Sequence, residues 1–207
     1  HSFGEWTVTK EATCTEEGAK ERVCECGEKE TEVIPALGHD FVNGECSRCE
    51  ETLTSKFEDV QVPSWYHEGV DFVVSRGYML GTTETRFDPN LKTSRAMVVT
   101  TLYRMAGSPE VTATHAFTDV KVGSYYEKAV AWGARNGIVT GKSADSFAPN
   151  DLVTRQELVT FLYRFANYKG VDTTSRYDSL AAFVDADTLS AYAVQPMKWA
   201  VGTGLIK

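Results

Sequence analysis

The chain has 207 residues, 42% hydrophobic, 24% charged and 11% aromatic, with a net charge of −8. The aromatic content excludes disorder as the main state, and the acidic balance argues against duplex nucleic acid, whose phosphates want a basic face. No apolar run approaches the roughly 20 residues of a membrane helix, and no signal peptide opens the chain, so a soluble piece of a longer protein is expected.

Charge and cysteine are unevenly spread. Residues 1–54 hold five Lys and Arg against thirteen Asp and Glu, and all five cysteines, while the rest of the chain is charge-balanced. Both signals break at one place, which puts a domain boundary near Thr52–Lys56. Within residues 1–54, Thr, Val and Ile alternate with charged residues between glycine-bearing turns, the pattern of a small antiparallel β module. So short a segment with few large apolar side chains cannot bury much core, and a cross-link or a metal is expected to hold it. Cys46-x-x-Cys49 has the spacing of a zinc knuckle, and Cys24-x-Cys26 is tighter. Two groupings fit a structural zinc: Cys24, Cys26, Cys46 and Cys49 with Cys14 spare, or Cys14, Cys24, Cys26 and His39. Disulfides and free thiols are the alternatives, and an odd count forbids full pairing within the chain.

The larger part is repetitive. Shifting it by 60 residues superposes Phe57–Ala106 on Phe117–Ala166 with 19 of 50 positions identical and no gap. A third copy opens at Phe183-Val-Asp185 and runs to Gly204 and Lys207. The copies divide the chain into residues 55–112, 113–178 and 179–207. Each begins Phe-x-Asp, followed by an amphipathic stretch (Tyr66, Val70, Val73 and Val74 in the first) that predicts a helix over 65–76. Gly77 and Gly137 stand where such a helix ends in a left-handed residue. A loop rich in Gly, Asp, Pro and Asn comes next. Ser94 or Thr154 then opens a second helix, with a capping-box Glu157 in copy two that Met97 replaces in copy one. Each full copy is helix, loop, helix.

These motifs (Phe-x-Asp-Val, Gly-Ile138-Val-Thr-Gly141, Phe-x-Pro-Asn and Thr-Arg-x-Glu) closely resemble the S-layer homology repeat of bacterial cell-surface proteins. The resemblance implies a mainly α fold of helix-loop-helix repeats in a pseudo-threefold spindle, preceded here by the β-rich Cys/His module. It also implies a secreted protein of the cell surface, cell wall or S-layer that binds a secondary cell-wall polysaccharide, commonly pyruvylated. The N-terminal pattern resembles a short cysteine repeat found in tandem on surface proteins of gut Firmicutes. His1-Ser-Phe3 and His39-Asp-Phe41 look like the openings of successive units.

Arg95 and Arg155 lie just after a helix N-cap, where free N–H groups and the macrodipole favour an anion, so they are the expected contacts to a saccharide carboxylate. Gly77, Gly81, Gly137, Gly141 and Gly204 are candidates for close backbone approach to such a ligand. Asp59, Asp119 and Trp65 complete the candidate set. The bland reading makes Gly77 and Gly137 helix C-caps and Asp59 and Asp119 turn or cap residues, and Trp65, Trp132 and Trp199 share no repeat position. Copy one, lacking the capping carboxylate, is expected to be the altered site. The sequence has no nucleophile elbow, phosphate loop, dinucleotide fingerprint or His-Glu-x-x-His, so an enzyme is not expected. A lattice or protein-interaction module, or the non-catalytic part of a secreted enzyme, is the alternative to wall anchoring. The abbreviated third copy predicts exposed apolar surface around Leu102 and Leu162, continuation beyond Lys207 or self-association through the incomplete copy, and no third binding groove.

Overall fold

The computed structural model describes all residues except 43, 44, 52–54, 63, 113, 175, 176 and 178. The boundary expected near Thr52–Lys56 falls mostly on residues 52–54, outside the described ones. The chain forms two compact units, residues 1–72 with 81–89, and residues 73–80 with 90–207.

The first unit starts with the expected antiparallel sheet, β1 (Thr7–Lys10), β2 (Gly18–Val23) and β3 (Lys29–Ile34), in that spatial order. A short hairpin, β4 (Phe41–Val42) and β5 (Glu45–Cys46), follows. Opposite charges face each other across the strands: Arg22 pairs with Glu30, and Lys20 reaches Glu32 at 3.2 Å. The guanidinium of Arg22 also lies over Trp6 at 4.7 Å, covering the ring without burying it. Among the described residues 1–51, Cys14, Gly18, Cys24 and Cys46 are the buried ones. Three of these four are cysteines, so sulfur dominates the buried side chains described in this module.

The repeats supply α1 (His67–Ser75), α2 (Arg95–Met105), α3 (Glu127–Arg135), α4 (Arg155–Tyr168) and α5 (Val194–Gly202). Two 3-10 turns, Ala186–Thr188 and Ala191–Ala193, precede α5. Helices and small sheets thus coexist, with the helices confined to the repeats.

Capping follows the sequence closely. Thr154 Oγ1 accepts from the Glu157 amide, and Glu157 returns a carboxylate to the Thr154 amide at 2.9 Å. In α2 the sulfur of Met97 takes the carboxylate's place, 3.5 Å from the Ser94 amide. A thioether is a weak acceptor, so this half of the cap is the weaker one.

Sequence copies and packing modules are out of phase. The main core gathers Val98, Val99 and Leu102 of copy one with Val130, Trp132, Ile138, Phe147, Phe161 and Phe165 of copy two. A second core sets Val159 of α4 against Leu180, Met197, Trp199 and Ala200 of copy three. The second helix of each copy therefore packs on the first helix of the next. This corrects the expectation of exposed surface at Leu102, which is 2% exposed because α3 covers it; Leu162 is half-buried between the two cores.

Candidate ligand-binding and metal sites

Arg95 and Arg155 occupy one sequence position in two different environments. Arg95 is 2% exposed. Its Nε donates to the Phe147 carbonyl at 2.9 Å, Nη2 to the Thr140 carbonyl at 2.7 Å, and Nη1 to Glu157 Oε1 at 2.7 Å. The guanidinium is layered against the rings of Phe147 and Phe161, at 4.8 and 5.2 Å. The carboxylate expected beside this arginine is there, but the chain itself supplies it. Burial raises the Glu157 carboxyl, yet the Thr154 amide and hydroxyl, Arg95 and Lys142 outweigh it and hold the group below its ordinary value. Arg95 is thus a pin between copies one and two.

Arg155 is exposed and has no partner among the described residues. It opens α4 and lines a concavity together with the apolar Leu180, Phe183, Met197 and Val201 and the charged Asp185 and Lys207. A cation at a helix N-terminus beside an apolar floor can take a carboxylate bidentately and a sugar's C–H face together.

The aspartates act within their own copies. Asp59 accepts the amides of Phe87 and Asp88 at 2.9 and 2.8 Å. Asp119 repeats this with Phe147 and Ala148, both at 2.8 Å, and adds the Ser146 hydroxyl at 2.7 Å. The Phe87 amide leads in holding Asp59 below the ordinary carboxyl value. Asp119 is also lowered, its hydrogen bonds overcoming burial. Both fasten the Phe-x-Pro-Asn loop, the bland reading of these positions.

The glycines divide similarly. Gly137 has φ +67° and open space around it, its amide donating to Ala134, and Gly77 and Gly204 share that conformation (φ +68° and +73°) as helix C-caps. At Gly141 a Cβ would lie 2.5 Å from the Ser146 carbonyl and 2.6 Å from the Phe117 ring, and at Gly81 it would lie 2.6 Å from Phe57. Close approach is indeed why glycine is needed there, but the approaching group is the chain's own loop and ring.

Trp65 is 93% exposed, edge-on to Tyr66 at 5.5 Å. Sixty residues on, Tyr125 is 63% exposed and edge-on to Tyr126 at 5.0 Å. Sequence reasoning compared Trp65 only with the other tryptophans, which share no repeat position, and so missed Tyr125; the offset of 60 identifies it. Trp132 and Trp199 are core residues, 3% and 9% exposed.

The cysteines partition differently from both expected groupings. Cys14, His39, Cys46 and Cys49 bring one ligand atom each to within 4.8 Å of the others. Cys24 and Cys26 form a separate cluster with His1, a residue absent from the expected set although it matches His39. Burial pushes Cys14 up to about 11, with Cys49 and Cys46 adding to the shift. Burial also raises Cys46, but amide donation from Arg48 and Asp40 and the nearby His39 bring it down to about 6. Adjacent thiols poised on either side of neutrality are a donor set in which a cation would settle the sharing of protons.

Residues 57–96 and 116–159 match the S-layer homology domain family. The chain is 31% identical over 147 residues to the surface-layer 125 kDa protein of Lysinibacillus sphaericus, covering 71% of this chain and 12% of that protein. It is 29% identical over 108 residues to an amylopullulanase of Thermoanaerobacterium thermosulfurigenes, covering 52% of this chain and 6% of the relative. The S-layer protein sap of Bacillus anthracis is 25% identical over 154 residues, covering 72% and 18%. The chain therefore spans only a small part of the length of these relatives.

Proposed function

Since this chain is an S-layer homology domain protein, with repeats at residues 57–96 and 116–159, we propose that it attaches a bacterial surface protein noncovalently to the cell wall by holding an anionic wall polysaccharide. It is a secreted protein of the cell surface or cell wall. The relatives include both surface-layer proteins and a polysaccharide-degrading enzyme. What such different proteins need in common is attachment, which favours an anchoring role over catalysis for the shared segment. A pseudo-threefold arrangement of the repeats belongs to the same reading.

The observation that carries the polymer specificity is Arg155, an accessible cation at a helix N-terminus beside an apolar concavity. A sugar bearing a pyruvyl ketal offers that geometry a carboxylate and an apolar methyl group together. The test is sedimentation of the full chain with purified wall polymer, before and after mild acid removes the ketals. Binding to the intact polymer, falling at least tenfold after ketal removal and likewise in Arg155→Ala, is the expected result. Equal retention by both polymers would remove the pyruvyl group from the proposal, and retention by neither would remove the anchor. The surface-layer relatives favour one second reading, a lattice module, whose signature is assembly into sheets without polymer.

A further inference from the structure

We propose that Cys14, His39, Cys46 and Cys49 hold one structural zinc ion, and that this ion staples two consecutive cysteine units to each other. The argument rests on distances, burial and the origin of the ligands.

A tetrahedral zinc with thiolates at about 2.3 Å and an imidazole nitrogen at about 2.0–2.1 Å requires S···S edges of about 3.8 Å and S···N edges of about 3.6 Å. The Cys14 and Cys46 sulfurs are 3.7 Å apart, and the Cys49 sulfur lies 3.4 Å from His39 Nδ1. Two opposite edges of the quartet thus stand close to those of a zinc tetrahedron, and the remaining separations lie within 4.8 Å. The amide of Arg48 donates to the Cys46 sulfur at 3.4 Å, a bond that supports thiolate over thiol. Three soft sulfurs and one imidazole in a closed four-ligand set suit zinc better than the harder cations, which want oxygen.

Burial gives the ion a purpose. Three of the four buried residues among the described residues 1–51 are cysteines, and among the described side chains no apolar cluster occupies this segment. A metal bound only by the folded state would tie Cys46 of β5 to Cys14, which lies between β1 and β2.

The ligands cross a boundary. His1 and His39 open successive units, and each returns to the cysteine pair of its own unit: His1 to Cys24 and Cys26, His39 to Cys46 and Cys49. Cys14 belongs to the first unit by sequence but completes the second unit's site. The metal is therefore shared between units. The His1, Cys24 and Cys26 cluster has three ligands among the described residues, one short of a closed set, and its His1–Cys26 separation of 3.1 Å departs further from the tetrahedral edge, so the tight site is assigned to the four-ligand cluster.

The experiment uses the full chain, purified without chelator under anaerobic conditions. Metal analysis is combined with alkylation of the thiols and mass mapping of the labelled cysteines. The expected result is one tightly held zinc per chain, with Cys14, Cys46 and the exposed Cys49 protected until a strong chelator removes it, and the likewise exposed Cys26 labelled at least tenfold faster than Cys49. Cys14→Ser should lose the tight zinc and Cys24→Ser should keep it. Substitution with Co²⁺ gives a readout independent of variants: the intense visible bands of a tetrahedral site, with sulfur-to-metal charge transfer. Immediate labelling of all five thiols overturns the proposal. So does protection of Cys14 and Cys46 that yields to reductant and not to chelator, which would mean a disulfide. Retention of zinc in Cys14→Ser with loss in Cys24→Ser would return the site to one unit and refute the staple.

Discussion

Arg95→Ala should unfold what Arg155→Ala leaves standing. The Arg95 side chain is almost wholly buried and donates to one carboxylate and two carbonyls. Removing one partner of a buried ion pair costs about 3–5 kcal/mol, because the other charge stays behind. Lys142, 3.3 Å from the same Glu157 oxygen and 43% exposed, still neutralises part of that charge and pulls the estimate down. Two opposing costs restore it: the Phe147 and Thr140 carbonyls lose their donor, at about 1–3 kcal/mol each where water cannot reach them, and a gap opens between Phe147 and Phe161. About 3–5 kcal/mol overall corresponds to roughly 6–20 °C in melting temperature for a chain of this size, at about 2–4 °C per kcal/mol. Arg155, exposed and without a described partner, should cost less than about 0.5 kcal/mol. Thermal melts followed by far-ultraviolet helical signal and by the fluorescence of buried Trp132 measure both. An Arg95→Ala protein that melts with the wild type and loses polymer binding would refute the pin and return Arg95 to the ligand site.

Other outcomes follow from the same contacts. Asp59, Asp119 and Glu157 are all held below the ordinary carboxyl value, so the unfolded chain binds more protons than the folded one in acid. Their contribution is present above the ordinary values near about pH 4 and is lost as the pH falls through the lower folded values; Asp119→Asn should flatten the acid limb of a pH–stability profile, and an unchanged slope would contradict this. Gly137→Ala meets open space and suffers only its left-handed φ, about 1–2 kcal/mol. Gly141→Ala drives a Cβ into backbone carbonyls and should cost visibly more in urea titration, so equal costs would sink the packing argument. Trp65→Ala and Tyr125→Ala should each weaken retention on wall polymer while moving the melting temperature by less than about 2 °C, since both side chains are exposed; full retention in the double variant would make these rings bystanders.

What the sequence made legible was local. The offset of 60 placed α2 and α4, their capping hydroxyls and the C-cap glycines, because each depends on residues within one turn or loop. The N-terminal sheet was equally visible in its alternation. Partnership across long separations was not. The helix N-terminus at Arg95 suggested a saccharide carboxylate, and no local rule could tell that the guanidinium would meet Glu157, 62 residues on, instead. Cysteine spacing revealed pairs and not which pair Cys14 would join. The phase shift between copies and packing modules was hidden for the same reason: hydrophobic faces show that a helix is covered, and never by what.

That phase shift bears on proteolysis, a constant hazard for a protein outside the cell. A protease cutting the connection between α2 and copy two, at the described residues 107–112 or 114–116, would cut between sequence copies. A cut there would not separate the two sides. The α2 helix sits in a core built mostly from copy two, with Val99 fully buried and Arg95 tied to Glu157. Everything preceding the cut would stay attached through that one helix, much as a complementing fragment remains bound to its parent. A chain built this way can be nicked between two of its copies and still stay in one piece.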